Sequence, residues 1–289
     1  MPQTKRILLY SVALSFLGGC ASFKDPGPAG TVPLSVQANP HTDSPAFAAF
    51  DRYAEVFGLR VYADSGFTDE QVLHAVSVLA ELIDNNEDGD ADDPAVLQAL
   101  QQAGFVMPMF TSEDAESMQA FERHYTGEGV SAVLFANEVD PNRPGVWGAD
   151  ATVEEIIHTI NHRGHVSVYP EAFGITPDAS RLSNAMDLAR GGQFLSVPSR
   201  YPDEAWYHYD DTTCDYECMA IEYLYWALVS NMGILDTPET CEGIANEWEL
   251  CTPSLLESRD TQIHTLIHDP SYPLPMKAPD GSYTPSSTD

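Results

Sequence analysis

Positive charge is scarce in this sequence. Lysine and arginine together number 13, against 44 aspartates and glutamates, and the formal net charge at pH 7 is −31. Nucleic acids and anionic lipid surfaces bind proteins through clustered basic side chains. The composition therefore argues against both as partners. It favours either cation binding or an acidic, solvated surface suited to a salty environment.

A membrane-spanning run is also missing, because the apolar stretch from Ile7 to Leu17 is shorter than the roughly 20 residues that cross a bilayer. Lys5 and Arg6 precede this stretch and "LGGC" follows it, which is the layout of a secretory signal peptide rather than a transmembrane anchor. The segment ending at Cys20 resembles the lipobox of bacterial lipoproteins. This resemblance implies that residues 1–19 are removed and that Cys20 is acylated. The mature chain would then be lipid-anchored in the bacterial cell envelope, outside the cytoplasm, and losing both cations would bring its formal charge from −31 to −33.

Changes in composition divide the rest of the chain into three segments. Residues 20–45 are rich in Pro, Gly, Ser and Thr and read as a flexible tether. Residues 46–269 have a globular pattern without an internal repeat, and residues 270–289 form an irregular tail. We predict an α+β fold, in which one mostly helical domain contains a small sheet.

Cysteine is used sparingly, with four residues beyond Cys20. In an exported protein an even number of cysteines predicts disulfides. We expect Cys241 to pair with Cys251. Cys214 and Cys218 either pair with each other or join the later pair. A zinc site of four thiolates is the alternative, although the spacing lacks the usual C-x-x-C pairs.

A calcium-binding loop is predicted between two helices. Thr68 and Gln71 form a capping-box pattern at the start of the first helix, and Pro94 lies in the first turn of the second. Between them, "DNNEDGDADD" resembles the start of an EF-hand loop, with Gly89 at the sharp turn. Five alternating side chains would supply oxygen to Ca²⁺: Asp84, Asn86, Asp88, Asp90 and Asp92. Position twelve is Ala95 instead of Glu, so Asp93 would have to close the shell, and a structural site is expected rather than a sensor. The alternative is a solvated Asx-rich turn.

The segment "VEEIIHTINHRGH" carries the strongest signal for a second metal. On a helix, Glu154, His158 and His162 lie four residues apart and share one side. An apolar run from Gly129 to Val139 predicts a buried strand before this helix, which we expect to span residues 152–164.

A strand followed by such a helix is similar to the setting of H-E-x-x-H in zincin metallopeptidases, with Glu154 replacing the first histidine. The resemblance implies that Glu154 and His158 bind zinc and that Glu155 is the general base. A second possibility pairs His158 with His162. Local rules offer another explanation: Thr152 and Glu155 would form a capping box, and the other charges would suit the helix dipole.

Glu222 is a candidate third ligand. It is the only formal charge between Cys218 and Asn231, an apolar and aromatic segment with helical character. A buried carboxylate needs a cation, a metal or a hydrogen-bond network, and gluzincins take their third ligand, a glutamate, from a later helix. Four polar residues just upstream are secondary candidates for a transition-state donor or another cation site: His208, Tyr209, Asp210 and Asp211.

Three longer stretches resemble an uncharacterised family of secreted proteins: "VFGLRVYADSGFTDEQVLHAVSVLAELIDNNEDG", "EEIIHTI" and "WYHYDDTTCDYECMAIEYLYWAL". That resemblance implies family membership without a catalytic role. We predict a calcium-binding lipoprotein with a zinc-dependent hydrolase centre, acting on peptide or another polymer. The alternative is a non-catalytic, calcium-stabilised surface module.

Overall fold

A small mixed sheet and a surrounding set of helices build the fold. The computed structural model describes residues 34–285. The predicted signal peptide, the lipidation site at Cys20 and residues 20–33 of the tether lie outside the described residues, as do residues 286–289. The α+β prediction, with one mostly helical domain and a small sheet, is confirmed.

The sheet contains strands β1 to β5 in chain order. The first three pair antiparallel, whereas β4 runs parallel to both β3 and β5. The strands are β1 (Gln37–Ala38), β2 (Arg52–Val56), β3 (Leu59–Ala63), β4 (Val106–Phe110) and β5 (Leu134–Phe135). Every residue of β4 is buried, as expected of a central strand whose two faces are both covered.

The first three helices lie between strands in the chain, and the remaining helices fill its second half. They are α1 (Asp69–Ile83), α2 (Pro94–Ala103), α3 (Glu116–His124), α4 (Thr152–Ile160), α5 (Val166–Val168), α6 (Pro170–Phe173), α7 (Arg181–Ala189), α8 (Tyr216–Asn231), α9 (Pro238–Gly243), α10 (Pro253–Arg259) and α11 (Thr261–Ile267). The predicted capping box of Thr68 and Gln71 is present at the start of α1, and Pro94 is the first residue of α2.

The buried apolar side chains of the described residues form two cores. The larger core joins α1, α4, α7 and α8 to the sheet, and the smaller one packs α3 and aromatic side chains such as Phe50, Tyr62 and Phe121 against the sheet. Helix α8 is buried along all but its ends, because its sequence is apolar on every side rather than along one stripe. The larger core therefore encloses Glu222, the acidic residue in the middle of α8.

The domain begins before the predicted boundary at residue 46. Within the segment assigned to the tether, β1 pairs with β2, and the amide of the buried Asn39 donates to the carbonyl oxygens of Phe47 and Phe50 at 2.7 and 2.9 Å. The stretch Gln37 to Asn39, within the predicted tether, is thus joined to the sheet and to the loop before β2.

The strand expected over Gly129 to Val139 is much shorter, because only Leu134 and Phe135 pair with β4. A 3₁₀ turn (Ala136–Glu138) follows at once. Burial explains the apolar run without a strand: Val130, Ser131 and Ala132 are each buried outside the ladder.

The helix expected to stop at Gly164 continues instead. A π-helical turn (Asn161–His165) follows α4, and α5 continues the chain to Val168. Gly164 serves packing rather than termination, since a Cβ there would lie 2.7 Å from a methyl carbon of Val96 on α2. The glycine allows the π turn to approach α2 closely.

Two disulfides, Cys214–Cys218 and Cys241–Cys251, join the cysteines locally. The first closes the loop before α8 onto the first turn of that helix. Zinc binding by four thiolates is incompatible with this pairing.

The tail crosses the surface next to the predicted calcium loop. Glu81 on α1 accepts hydrogen bonds from the backbone N–H groups of Asp280 and Gly281 at 3.1 and 2.9 Å. The Tyr283 hydroxyl donates to Asp84 at 2.6 Å, and Lys277 pairs with Glu87 at 3.0 Å. Within residues 34–285, none of the helices combines the length and apolar composition that crossing a bilayer requires.

Candidate metal centre

Helices α4 and α8 bring the three predicted ligands together. Glu154 and His158 on α4 and Glu222 on α8 each offer one ligand atom, and these atoms lie within 4.8 Å of one another. The three residues are buried, with 6%, 1% and 1% of their surface exposed. Among the described residues, this is the one group of three acidic, histidine or cysteine side chains that converges so closely.

The start of α4 is held by Asp150 rather than by the expected capping box. Thr152 is the first helical residue, and its hydroxyl donates to Asp150 Oδ1 at 2.6 Å. Asp150 Oδ2 accepts the N–H of Gly145 at 2.8 Å and lies 3.0 Å from Nε2 of the buried His74 on α1. This network fixes the first turn of α4, which carries Glu154 and Glu155, to α1.

The start of α8 is held in two ways. The side chain of Asp215 accepts the N–H of Cys218 at 3.0 Å as an N-cap, and the Cys214–Cys218 disulfide ties the preceding loop to the same turn. Glu222 lies four residues after Cys218, one turn further into the core. Its position is therefore set by a pinned helix end.

The two nitrogens of His158 face different carboxylates. Nε2 lies 3.4 Å from Glu222 Oε2 but makes no hydrogen bond, whereas Nδ1 hydrogen-bonds Glu155 Oε2 at 3.3 Å. Two ligand atoms that each lie about 2.0 to 2.1 Å from a tetrahedral zinc ion are about 3.3 to 3.4 Å apart. The distance from Nε2 to Oε2 thus matches an edge of a zinc tetrahedron, and Nε2 is a buried nitrogen that makes no hydrogen bond.

The electrostatics of the centre also favour a cation. Two carboxylates this close repel each other, and burial penalises each charge. Burial also disfavours the charged imidazole of His158, but the carboxylates of Glu222 and Glu155 outweigh it and raise its pKa well above the usual value. A single proton on His158 offsets one negative charge, whereas a divalent ion offsets two.

Two tyrosine hydroxyls complete the surroundings. Tyr209 donates to Glu222 Oε1 at 3.1 Å and Tyr225 donates to Glu154 Oε2 at 3.3 Å. Burial, together with the nearby carboxylates, raises the pKa of both phenols, so both remain donors at neutral pH. Tyr209 was a secondary candidate, but Tyr225 was missed. Its spacing of three residues from Glu222 on a helix was the signal that could have found it.

Glu155 lies at the edge of the centre, with 17% of its side chain exposed. Its carboxylate meets Nδ1 of His158, the nitrogen opposite the one that faces Glu222. Histidines that bind metals commonly donate their other ring N–H to a carboxylate in this way. This contact orients the imidazole, and the general-base role remains a prediction.

His162, from the alternative ligand pair, is not part of the converging group. It lies in the π turn, where Nδ1 is 2.6 Å from the Ser131 hydroxyl, and burial lowers its pKa to about 4. The neighbouring His165 contacts Asn161 at 3.0 Å, and burial lowers its pKa to about 4 as well. Both imidazoles are therefore neutral at pH 7.

The other secondary candidates face the surface. His208 and Asp210 line an open cavity of about 620 Å³ together with Arg200, Tyr201 and Glu249. Asp211 accepts two hydrogen bonds from Thr213, at 2.9 Å from its N–H and 2.8 Å from its hydroxyl, and forms a local turn. Alternation along the strand-like segment explains the split, because Tyr209 points inward between His208 and Asp210.

The predicted calcium loop folds around Asp84, which is fully buried. Its carboxylate accepts the N–H groups of Asp88 and Gly89 at 3.1 and 2.8 Å, and Gly89 has the positive φ of 97° that the turn requires. Asp93, which would have closed the shell, instead caps α2 by accepting the N–H groups of Ala95 and Val96 at 3.0 and 3.1 Å. The aspartates of this loop do not meet the distance criterion that Glu154, His158 and Glu222 meet.

No protein-family model, curated protein or solved structure matches this chain.

Proposed function

We propose that this protein is a lipid-anchored domain of the bacterial cell envelope that binds a zinc-like divalent ion through Glu154, His158 and Glu222. The observation that supports this most directly is His158 Nε2, a buried nitrogen without a hydrogen bond, 3.4 Å from a carboxylate oxygen. The donor set of one imidazole and two carboxylates suits Zn²⁺, which accepts both ligand types.

Metal analysis of the purified protein tests this proposal. We expect one zinc-like ion per chain, lost in His158→Gln and retained in the matched control His162→Gln, which changes a partly buried histidine one turn away. Binding of Zn²⁺ by calorimetry should show the same contrast. Equal binding by the parent and by H158Q would place the ion elsewhere, and absence of binding in the parent would overturn the proposal.

Hydrolysis is the chemistry we propose for this centre. Catalytic zinc sites have three protein ligands and keep one position for water or substrate, and a bound zinc would supply Lewis-acid activation there. Glu155, the partly exposed group, would hold or accept a proton at the edge of the site. Peptide and ester substrates should be cleaved in a zinc-dependent manner. Glu155→Gln should keep the ion and remove the activity if Glu155 is the base.

A non-catalytic role is the second candidate, and the burial of the three ligands favours it. With at most 6% of any ligand residue exposed, a substrate has little access to the ion. In that case the metal stabilises the domain, so zinc should raise the melting temperature while peptide and ester substrates are not hydrolysed.

The calcium loop and the anchor complete the proposal. We infer that Asp84, Asn86, Asp88, Asp90 and Asp92 bind Ca²⁺ as a structural ion, supported by the alternating oxygens and the turn at Gly89. Millimolar Ca²⁺ should raise the melting temperature of the parent but not of Asp88→Asn. The lipid anchor on Cys20 is tested by Cys20→Ala, which should release the domain from the membrane fraction.

A further inference from the structure

Four buried tyrosines lie on α8 or in the segment that precedes it, and their hydroxyls divide into two pairs by the groups that accept them. Tyr209 and Tyr225 donate to carboxylates of the metal centre, at 3.1 and 3.3 Å. Tyr207 donates to the carbonyl oxygen of Met219 at 2.7 Å, and Tyr223 donates to Asp260 at 2.6 Å. A buried phenol needs an acceptor for its hydroxyl. Tyr207 and Tyr223 find acceptors that are not metal ligands, so a buried tyrosine beside α8 does not need a metal ligand as its acceptor.

We propose that Tyr209 and Tyr225 are positioning residues that make Glu222 and Glu154 each bind the ion through a single oxygen. This inference rests on the proposed metal-binding function. The two oxygens of Glu222 have different partners: Oε1 accepts a hydrogen bond from the hydroxyl of Tyr209, while Oε2 faces His158 Nε2. For Glu154, Oε2 is the oxygen that Tyr225 engages.

The consequence concerns the number of donors around the ion. Two bidentate glutamates and one histidine would supply five donor atoms and close the coordination shell. Two monodentate glutamates and one histidine supply three, which is the number that catalytic zinc sites use. The two hydroxyls therefore keep a coordination position open to water or substrate.

His158 is held in a similar way to Glu222. Glu155 contacts Nδ1 of His158 and leaves Nε2 facing Glu222, just as Tyr209 contacts Oε1 of Glu222 and leaves Oε2 facing His158. Groups that hold metal ligands from outside commonly change metal affinity by 10- to 100-fold when removed.

The test compares Tyr209→Phe with Tyr207→Phe, and Tyr225→Phe with Tyr223→Phe. Each variant removes one buried hydroxyl from the same region, and only the first of each pair touches a metal ligand. We expect Y209F and Y225F to bind Zn²⁺ with a 10- to 100-fold higher dissociation constant at unchanged stoichiometry. With Co²⁺ as a spectroscopic probe, the visible absorption of these two variants should weaken, because a bidentate carboxylate raises the coordination number. Y207F and Y223F should retain the affinity and spectrum of the parent.

The outcomes separate this inference from the proposed function. If the parent binds zinc and both Y209F and Y225F keep its affinity and Co²⁺ spectrum, the tyrosine inference is wrong and the metal centre stands. If the parent binds no metal at these ligands, the proposed function fails first.

An infrared difference spectrum of the unaltered parent, zinc-loaded minus metal-free, covers variants that do not fold. Monodentate glutamates give widely separated antisymmetric and symmetric carboxylate stretches. Closely spaced stretches would show bidentate binding and overturn the inference.

Discussion

Replacing Glu222 by Gln separates a metal centre from a simple buried ion pair. At 3.4 Å and an effective dielectric constant of 20, a charged His158 and Glu222 attract by about 5 kcal/mol. Glu154 opposes this, since a second carboxylate at up to 4.8 Å repels Glu222 by about 3.5 kcal/mol or more. The two interactions nearly cancel in the metal-free protein. We therefore expect E222Q to change the free energy of unfolding of the metal-free domain by only about 1 to 2 kcal/mol.

The effect on the metal-bound protein should be much larger. Zinc at 100 times its dissociation constant stabilises the parent by about 2.7 kcal/mol, which for a domain of this size raises the melting temperature by about 5 to 11 °C. The amide of E222Q is a poor zinc ligand, so this increase should disappear. Thermal unfolding with and without zinc, after chelation, measures both quantities on one sample. Glu217→Gln, an exposed change on the first turn of the same helix, is the matched control.

The opposite pattern would refute this reasoning. A buried ion pair that loses one partner costs about 3 to 5 kcal/mol. If E222Q loses that much in the metal-free state and zinc leaves the parent unchanged, Glu222 is the partner of a protonated His158 and the centre holds no ion.

Three further predictions concern protons and the disulfide. The raised pKa of His158 means that zinc must displace its proton at pH 7. Calorimetry in buffers of different ionisation enthalpy should therefore show about one proton released per bound ion, and the affinity for zinc should fall about tenfold per pH unit on acidification. Binding without proton release would contradict this. His162 and His165 have pKa values lowered from 6.5 to about 4. The contribution of each neutral histidine to the free energy of unfolding is therefore fully present above pH 6.5, and it should fall by up to about 3 kcal/mol as the pH drops to 4. The free energy of unfolding, measured with denaturant across that pH range, should depend less on pH in His165→Asn than in the parent. An unchanged pH dependence would exclude His165 as a cause. Replacing Cys214 and Cys218 by Ser should lower the free energy of unfolding by about 2 kcal/mol, as expected for such a short loop, and should also weaken zinc binding. A lower melting temperature with unchanged zinc affinity would show that the disulfide does not position the metal site.

The parts of the fold that follow local rules were predictable from the sequence. The capping box of Thr68 and Gln71 and the proline at the start of α2 depend on residues within one turn of each other, so no tertiary information is needed. The importance of Glu222 was predictable for a different reason. A single acid in an apolar helix must have a buried partner, whatever the rest of the fold is.

Features set by contacts between distant elements were not predictable. The π turn exists where Gly164 packs on α2, and the two-residue β5 depends on where β4 ends. The tail across Glu81 is joined to it by backbone N–H groups, which carry no sequence signal. Helical spacing placed Tyr225 on the side of α8 that carries Glu222, but nothing in the sequence indicated that it contacts Glu154, 71 residues away.

The position of Glu155 bears most directly on whether the centre is catalytic. A general base must lie within hydrogen-bond reach of the group it deprotonates, which here would be a water on the side of His158 that faces Glu222. Glu155 instead contacts Nδ1, on the opposite side of the ring. Its 17% exposure leaves it the only one of the four groups with room to change rotamer towards solvent. Catalysis by Glu155 would thus require it to release His158, and the imidazole would lose its orienting partner at the moment when the ion has to be held most firmly. The contact as it stands fits a carboxylate that positions a metal ligand. The zincin-like spacing of Glu154, Glu155 and His158 therefore argues more strongly for metal binding than for proteolysis.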